Sequence, residues 1–221
     1  IHTHSPRSDL LAYSSNLFIK NKGKRIVTIH GKYGTYLQGN FLIDFLRKIF
    51  IKQQSKIWEK ANKVIVISES IRDWLEKLNS SIKPTVIPYG VEIQEVSQKN
   101  KFANPTLGYL GKLNKNKGIE DLIDVYTKFQ EKENSSNFEL TLLIGGTGSE
   151  NYIKSLKNKI KDNNVKFLGY VEDRYSFFES IEIFVFPSYS EGLGLVLLEA
   201  MAHGVICITR DVTPMNSIVD N

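Results

Sequence analysis

The sequence predicts an α/β protein with parallel sheets, built as two domains in succession. Three observations predict it. Short β-branched runs alternate with stretches of helical period along the whole chain, the signature of strand–helix–strand units. The runs are apolar throughout rather than alternating, as in strands covered on both faces. The polar stretch Gln94–Pro105, just after Pro88-Tyr89-Gly90, has no apolar period and reads as a linker.

The elements follow in order. Arg25–His30 (RIVTIH) is the first complete strand, and a helical stretch runs from about Asn40 to Ala61. Lys63–Ser68 (KVIVIS) is a strand, Glu69–Leu78 a helix and Thr85–Ile87 a short strand. After the linker, Thr106–Leu110 is a strand and Gly118–Glu131 a helix. Glu139–Ile144 is a strand, and a glycine turn leads into a helix over Ser149–Lys161. Val165–Leu168 is a strand, Arg174–Ser180 a short helix, Ile183–Phe186 a strand, Leu195–Ala202 a helix and Val205–Thr209 a strand. The domains are thus 1–90 and 106–221, joined by 91–105. Right-handed crossovers place the loops after the strands on one edge, where such sheets bind ligands. The loops after His30, Leu110, Ile144, Leu168 and Phe186 are therefore the candidates.

Composition narrows the function. With 221 residues, 41% hydrophobic and 24% charged, the chain has a core and is not disordered. Cys207 is the sole cysteine, which excludes a disulfide scaffold; in Val205-Ile206-Cys207-Ile208 it reads as a buried thiol. No apolar run approaches the roughly 20 residues of a membrane span. The opening Ile1-His2-Thr3-His4 has no charged leader and looks like mid-strand, and Ser217–Asn221 lack a terminating pattern. The expectation is a fragment cut at both ends, from a reducing, cytoplasmic setting. Residues 1–90 carry 15 Lys and Arg against 6 Asp and Glu; residues 91–221 carry 14 against 18. The basic half is either a solvated face or suits an anionic partner. No nucleic-acid motif accompanies it, so no nucleic-acid partner is expected.

Three loops carry candidate chemistry. Gly111-Lys112-Leu113-Asn114-Lys115-Asn116-Lys117-Gly118 follows a strand and opens a helix. Gly111 permits close backbone approach, and Lys112 and Lys117 bring cations beside a helix start, which suits a phosphate or diphosphate; a lysine-rich surface loop is the alternative. Gly145-Gly146-Thr147-Gly148 is either a phosphate cradle or a turn. The loop after Phe186 places Glu191 before Gly192-Leu193-Gly194 and Glu199 eight residues on. Leu195, Leu198 and Met201 or Ala202 recur at helical spacing as a core face. Glu199 among them is partly buried and needs hydrogen-bond donors, such as ribose hydroxyls; a structural ion pair is the alternative.

These residues resemble a known family. Glu191 to Glu199 resembles the E-x7-E signature of retaining glycosyltransferases of family 4, which have the GT-B fold of two Rossmann-like domains. Gly111-Lys112-Leu113 with Lys117-Gly118 resembles the family's G-R-L…K-G loop, and Val165–Gly169 its V-x-F-x-G. Pro187-Ser188 and Glu199–Gly204 fit P-S and E-A-M-A-x-G. Thr28-Ile29-His30-Gly31 resembles T-x-H-G, Ala61–Ser68 resembles A-D-x-V-I-x-x-S, and Ile87–Val91 resembles I-P-N-G-V. The matches run from end to end in family order.

The resemblance implies transfer of a sugar from a nucleotide-diphosphate sugar, UDP- or GDP-linked, to a glycan or lipid-linked acceptor, with retention of configuration. It implies an acceptor-side domain over 1–90 and a donor domain over 106–221. Glu199 would hold the ribose, and Lys112 and Lys117 the diphosphate. Glu191 and the amides of Gly192, Leu193, Gly194 and Leu195 would hold the donor sugar and diphosphate. His30 would face the sugar. No metal and no cofactor are implied, and no D-x-D motif stands in the sequence. Bacterial surface polysaccharide synthesis is the expected setting, in the cytoplasm or at the inner face of the membrane. The contrasting expectation is an inactive fragment or pseudoenzyme that binds nucleotide or a protein partner. Three positions depart from the family: Lys112 replaces an arginine, Tyr89 an asparagine, and Val212–Ser217 lack a glycine pair and a carboxylate. Lysine keeps the charge of arginine but loses its fork.

His2 and His4 read as loop histidines at a strand end, and His203 as a helix-end residue before Gly204. The basic helix 41–60 carries Leu42, Phe45, Leu46, Ile49 and Phe50 with Arg47, Lys48, Lys52, Lys56 and Lys60. It reads as a core stripe or as a face for an anionic membrane surface.

Overall fold

The computed structural model describes residues 1–19, 23–33, 41–93, 105–133, 139–160 and 163–219. The expected linker therefore lies outside the described residues over 94–104, as do Asn40 and Lys161 at two expected helix ends. The chain forms two compact units, one from Ile1 to Gly90 with Glu191–Leu193, the other from Val91 to Ser190 and from Gly194 onward.

The first unit is a four-stranded parallel sheet in the order β1-β2-β3-β4, from β1 (His2–Thr3), β2 (Ile26–Ile29), β3 (Lys63–Val66) and β4 (Thr85–Val86). Its helices are α1 (Pro6–Phe18), α2 (Phe41–Glu59) and α3 (Glu69–Leu78). Val27 pairs with Val64 and Ile29 with Val66; with Ile71, Leu75 and Trp58 they make the core. Ser68 starts α3 by accepting the Ile71 N–H, so Ile71 and Leu75 fall one turn apart on the sheet side.

Helix α1 is absent from the sequence expectations. Only Asp9 and Ala12 of its 13 residues are buried, so no apolar period marks it. Its start is nonetheless written locally: Ser5 accepts the Ser8 N–H, the Ser8 side chain accepts the Ser5 N–H, and Pro6 takes the first turn.

Helix α2 corrects another expectation. Leu42, Phe45, Leu46, Ile49 and Phe50 are exposed, Leu42 at 63%, and the helix is anchored instead through Ile51, Gln54, Ser55 and Trp58. The core stripe is therefore confined to its second half.

The second unit is a five-stranded parallel sheet, β7-β6-β5-β8-β9. Its strands are β5 (Thr106–Leu110), β6 (Thr141–Gly145), β7 (Val165–Gly169), β8 (Ile183–Phe186) and β9 (Ile206–Thr209), with α4 (Ile119–Glu133), α5 (Glu150–Lys159), α6 (Arg174–Glu179) and α7 (Leu195–Ala202) as crossovers. The core gathers Tyr109, Ile123, Leu142, Ile144, Leu156, Phe178, Phe184 and Leu197. On α7 the buried residues are Leu197 and Ala200, whereas Leu195 and Met201 are exposed; the core face is rotated from the expected one. Strand β9 is at the sheet edge, so Ile206 and Ile208 are exposed and Cys207 is half-buried rather than buried.

Candidate functional site

Three loops of the second unit meet at the carboxyl ends of β5, β6 and β8. The Gly111 N–H donates to the Gly145 carbonyl at 3.1 Å and the Leu113 N–H to that of Thr147 at 2.7 Å. Residues 111–113 thus run backbone to backbone along 145–148. A Cβ on Gly146, where φ is +134°, would fall 1.7 Å from the Gly111 carbonyl oxygen, so no other residue fits. A short 3₁₀ turn, Lys115–Lys117, follows, capped by Asn114. Gly118 is left-handed and closes on the third loop: its Cβ would meet the Pro187 carbonyl oxygen at 2.2 Å. The Tyr189 N–H donates to the Asn116 carbonyl at 3.0 Å. Within this frame Lys117 Nζ lies 5.9 Å from the centre of the Phe186 ring, while Lys112 and Lys115 are exposed.

A clamp that the sequence does not announce holds the third loop. The Tyr189 hydroxyl donates to Asp121 Oδ2 at 2.6 Å, and the Arg210 guanidinium donates to the same oxygen. Arg210 Nε also donates to the Pro187 carbonyl at 3.1 Å, and its guanidinium stacks 4.0 Å over the Tyr189 ring. The Tyr189 hydrogen bond, followed by Arg210, holds the Asp121 carboxyl below the usual range. These residues are 68 and 89 positions from Asp121, beyond the reach of local pattern.

Helix α7 starts at Leu195 behind left-handed Gly194, with no side chain capping its first turn. Glu199 is partly buried, as expected, and its partner is Arg174, the first residue of α6: Nη1 lies 2.8 Å from Oε1 and 2.9 Å from Oε2. His203 closes the helix by donating from Nδ1 to the Glu199 carbonyl at 2.7 Å, a structural role. Burial pushes the Cys207 thiol up to about 11, which removes it as a nucleophile.

In the first unit the histidines form a row. His2 Nε2 is 2.8 Å from Thr28 Oγ1, His4 Nδ1 is 2.9 Å from His30 Nε2, and His30 Nδ1 is 2.5 Å from the Tyr89 hydroxyl. Both ring nitrogens of His30 are thus engaged, and Tyr89 has a stated partner where the sequence showed only a departure. The unit also takes in half-buried Glu191, Gly192 and Leu193. A Cβ on Gly192 would fall 2.1 Å from the His30 carbonyl oxygen, so these two expected site residues touch through backbone. Among the described residues no three His, Cys, Asp or Glu side chains are grouped to hold a metal ion.

Residues 104–221 match the family described as Glycosyl transferases group 1, and residues 1–95 match Glycosyltransferase Family 4. The chain belongs to these glycosyltransferases. It is similar to the capsular polysaccharide biosynthesis glycosyltransferase CapM of Staphylococcus aureus, 28% identical over 96% of this chain and 58% of CapM. It is also similar to the O-antigen biosynthesis glycosyltransferase WclY of Escherichia coli, 27% identical over 100% of this chain and 63% of WclY. The chain thus spans about three-fifths of these relatives. Its fold matches Anabaena HepE, solved with UDP-glucose, at a TM-score of 0.80 and 16% identity, over 100% of this chain and 62% of HepE. The fold is GT-B.

Within this member of the family, Gly111, Lys112, Lys117, Gly194, Leu195 and Glu199 lie in the second unit, and His30, Glu191, Gly192 and Leu193 group with the first. Sequence reasoning missed Arg174, Tyr189, Asp121 and Arg210, all held by long-range contacts. It also missed the pairing of Tyr89 with His30. Burial, then His4 and His2, hold the His30 imidazole below its ordinary value of 6.5. The unfolded chain therefore binds the proton first, and stability is lost as pH falls through about 6.5. The first unit should unfold at lower denaturant at pH 5.5 than at pH 7.5, followed by tryptophan fluorescence. His30→Gln should flatten that dependence; an unchanged slope in the variant would assign it to other groups.

Proposed function

We propose that this chain is the working part of a retaining glycosyltransferase. It takes a sugar from a UDP- or GDP-linked donor and passes it to a glycan or lipid-linked acceptor of a bacterial surface polysaccharide. One observation carries the reading: the loops 111–118 and 145–148 and the loop after β8 interlock by backbone contacts at one sheet edge. They bring Lys117 and the clamped Pro187–Ser190 segment together. Lys112 and Lys117 hold the diphosphate, and Glu199 the ribose. Glu191 and the amides of Gly192 to Leu195 hold the sugar and diphosphate. His30 serves the sugar. The bond from the anomeric carbon to the diphosphate breaks with its electron pair leaving on the diphosphate, so the cations stabilise the charge that develops. The donor is a substrate, and no metal enters the proposal.

The acceptor side meets an anionic membrane surface through α2. Support comes from exposed Phe41, Leu42, Phe45, Leu46 and Phe50 beside Arg47, Lys48 and Lys52, a pairing of apolar and basic residues that suits a lipid interface. No helix among the described residues is long and apolar enough to cross a membrane.

The test is calorimetric titration of the chain with UDP, GDP, ADP, UDP-glucose and UDP-N-acetylglucosamine, with co-sedimentation on phosphatidylglycerol and phosphatidylcholine vesicles alongside. Saturable binding of one diphosphate and its sugar is expected, with retention on the anionic vesicles only. A folded chain that binds none of the nucleotides would remove the donor reading. Equal recovery on both vesicle types would remove the charge-dependent docking.

A further inference from the structure

The pair between Arg174 and Glu199 has an informative geometry. One nitrogen, Nη1, stands nearly equidistant from both carboxylate oxygens, at 2.8 and 2.9 Å. It therefore occupies the open end of the carboxylate, where the two inward-facing lone pairs converge. A vicinal diol donating both hydroxyls to one carboxylate needs that same place. The arginine side chain is 54% exposed and the glutamate 21%, so the guanidinium has solvent to move into, whereas Glu199 is set in α7. Glu199 is the hydrogen-bonding partner of the Arg174 side chain among the described residues. The backbone beneath is fixed independently: Asp173 caps α6 by accepting the Ser176 N–H at 3.0 Å and its hydroxyl at 2.6 Å. Moving the Arg174 side chain therefore need not move the helix.

We propose that Arg174 is a displaceable occupant of the diol position on Glu199, and that its competition tempers the preference of the site for ribose. A ribonucleoside diphosphate must expel the guanidinium to place its two hydroxyls, whereas a nucleotide without them binds with the ion pair intact. The inference rests on the reading of Glu199 as the ribose carboxylate. Exposed ion pairs are weak, so expulsion takes only a modest share of the ribose contribution.

The experiment is calorimetric titration of the full chain and of Arg174→Ala, Arg174→Lys, Glu199→Ala and the Ala/Ala double variant. The probes are UDP and GDP, each beside its 2′,3′-dideoxy counterpart. Arg174→Ala should bind the ribose form about threefold more tightly and leave the dideoxy form unchanged. Arg174→Lys should fall between, and the gain should vanish on the Glu199→Ala background. A change in fold or in the general field would move both forms together, and that result would overturn the proposal. So would unchanged or weaker binding of the ribose form by Arg174→Ala. If Glu199→Ala alone leaves ribose binding untouched, the reading of Glu199 fails, whatever Arg174 does. Failure of the folded chain to bind either ribose form would remove both.

Discussion

Lys117→Ala should weaken binding of a nucleoside diphosphate by about ten- to hundredfold. A charge-assisted hydrogen bond is worth about 1.5–3 kcal/mol, and each 1.4 kcal/mol is a factor of about ten. The position of Lys117 is what makes the full value available. It ends a 3₁₀ turn whose residues on either side are pinned, by Asn114 at the start and by Gly118 against Pro187 at the end. Lys117 is half-buried and its ammonium lies 5.9 Å from the centre of the Phe186 ring, so its contacts are less screened by water than those of a fully exposed lysine. Lys115, two residues earlier in the same turn, has the same charge but is exposed. Lys115→Ala removes the same unit of field and should cost only about twofold. Equal losses in the two variants would show a diffuse positive potential rather than a positioned lysine, and the diphosphate assignment would fall.

Trp58→Phe should destabilise the first unit by about 3 kcal/mol. Trp58 is fully buried, and its indole N–H donates to Asp9 Oδ2 at 2.7 Å; Asp9 itself is 1% exposed, and its Oδ1 has no hydrogen-bond partner among the described residues. Buried Arg25 stands in the same network, donating to the Ile57 carbonyl and stacked over Tyr13. Burial lowers the affinity of Arg25 for its proton, and the charge of Asp9 acts in the opposite direction. Removing the indole N–H leaves a carboxylate with no donor in a site that water does not reach, which is far costlier than losing an exposed pair. Asp9→Leu added to Trp58→Phe removes the counter-charge of buried Arg25 as well and should lower stability further rather than restore it. Denaturant unfolding followed by the fluorescence of Trp74, which packs 6.4 Å from Trp58, measures both. A change below about 0.5 kcal/mol would mean that the pair is not coupled to folding.

The parts of this protein that were legible in the sequence are those where one local pattern suffices. Strands such as RIVTIH and KVIVIS carry their burial in β-branched runs, and α3 places Ile71 and Leu75 one turn apart. Helix α1 was illegible because its buried face holds a carboxylate, and hydrophobic period cannot mark a face anchored by Asp9. The exposed half of α2 shows the converse. An apolar stripe fixes helical period but does not say what lies against it, and Gln54 and Ser55 are buried where Leu42 and Phe45 are not. In the candidate site, the glycines and lysines of 111–118 were legible because strand-to-helix loops have their own chemistry. The partners of His30 and Glu199 were not, because Tyr89 and Arg174 reach them across 59 and 25 residues.

Cys207 has a consequence for spectroscopy. With its thiol pushed up to about 11, roughly one molecule in ten thousand carries the reactive thiolate at neutral pH. A cysteine engineered at an exposed position has an ordinary thiol near 8.5 and reacts with a maleimide dye far sooner. The native residue can therefore stay in place. Both tryptophans belong to the first unit, so their emission reports on that unit, and a single dye placed on the second unit reports on the second unit separately.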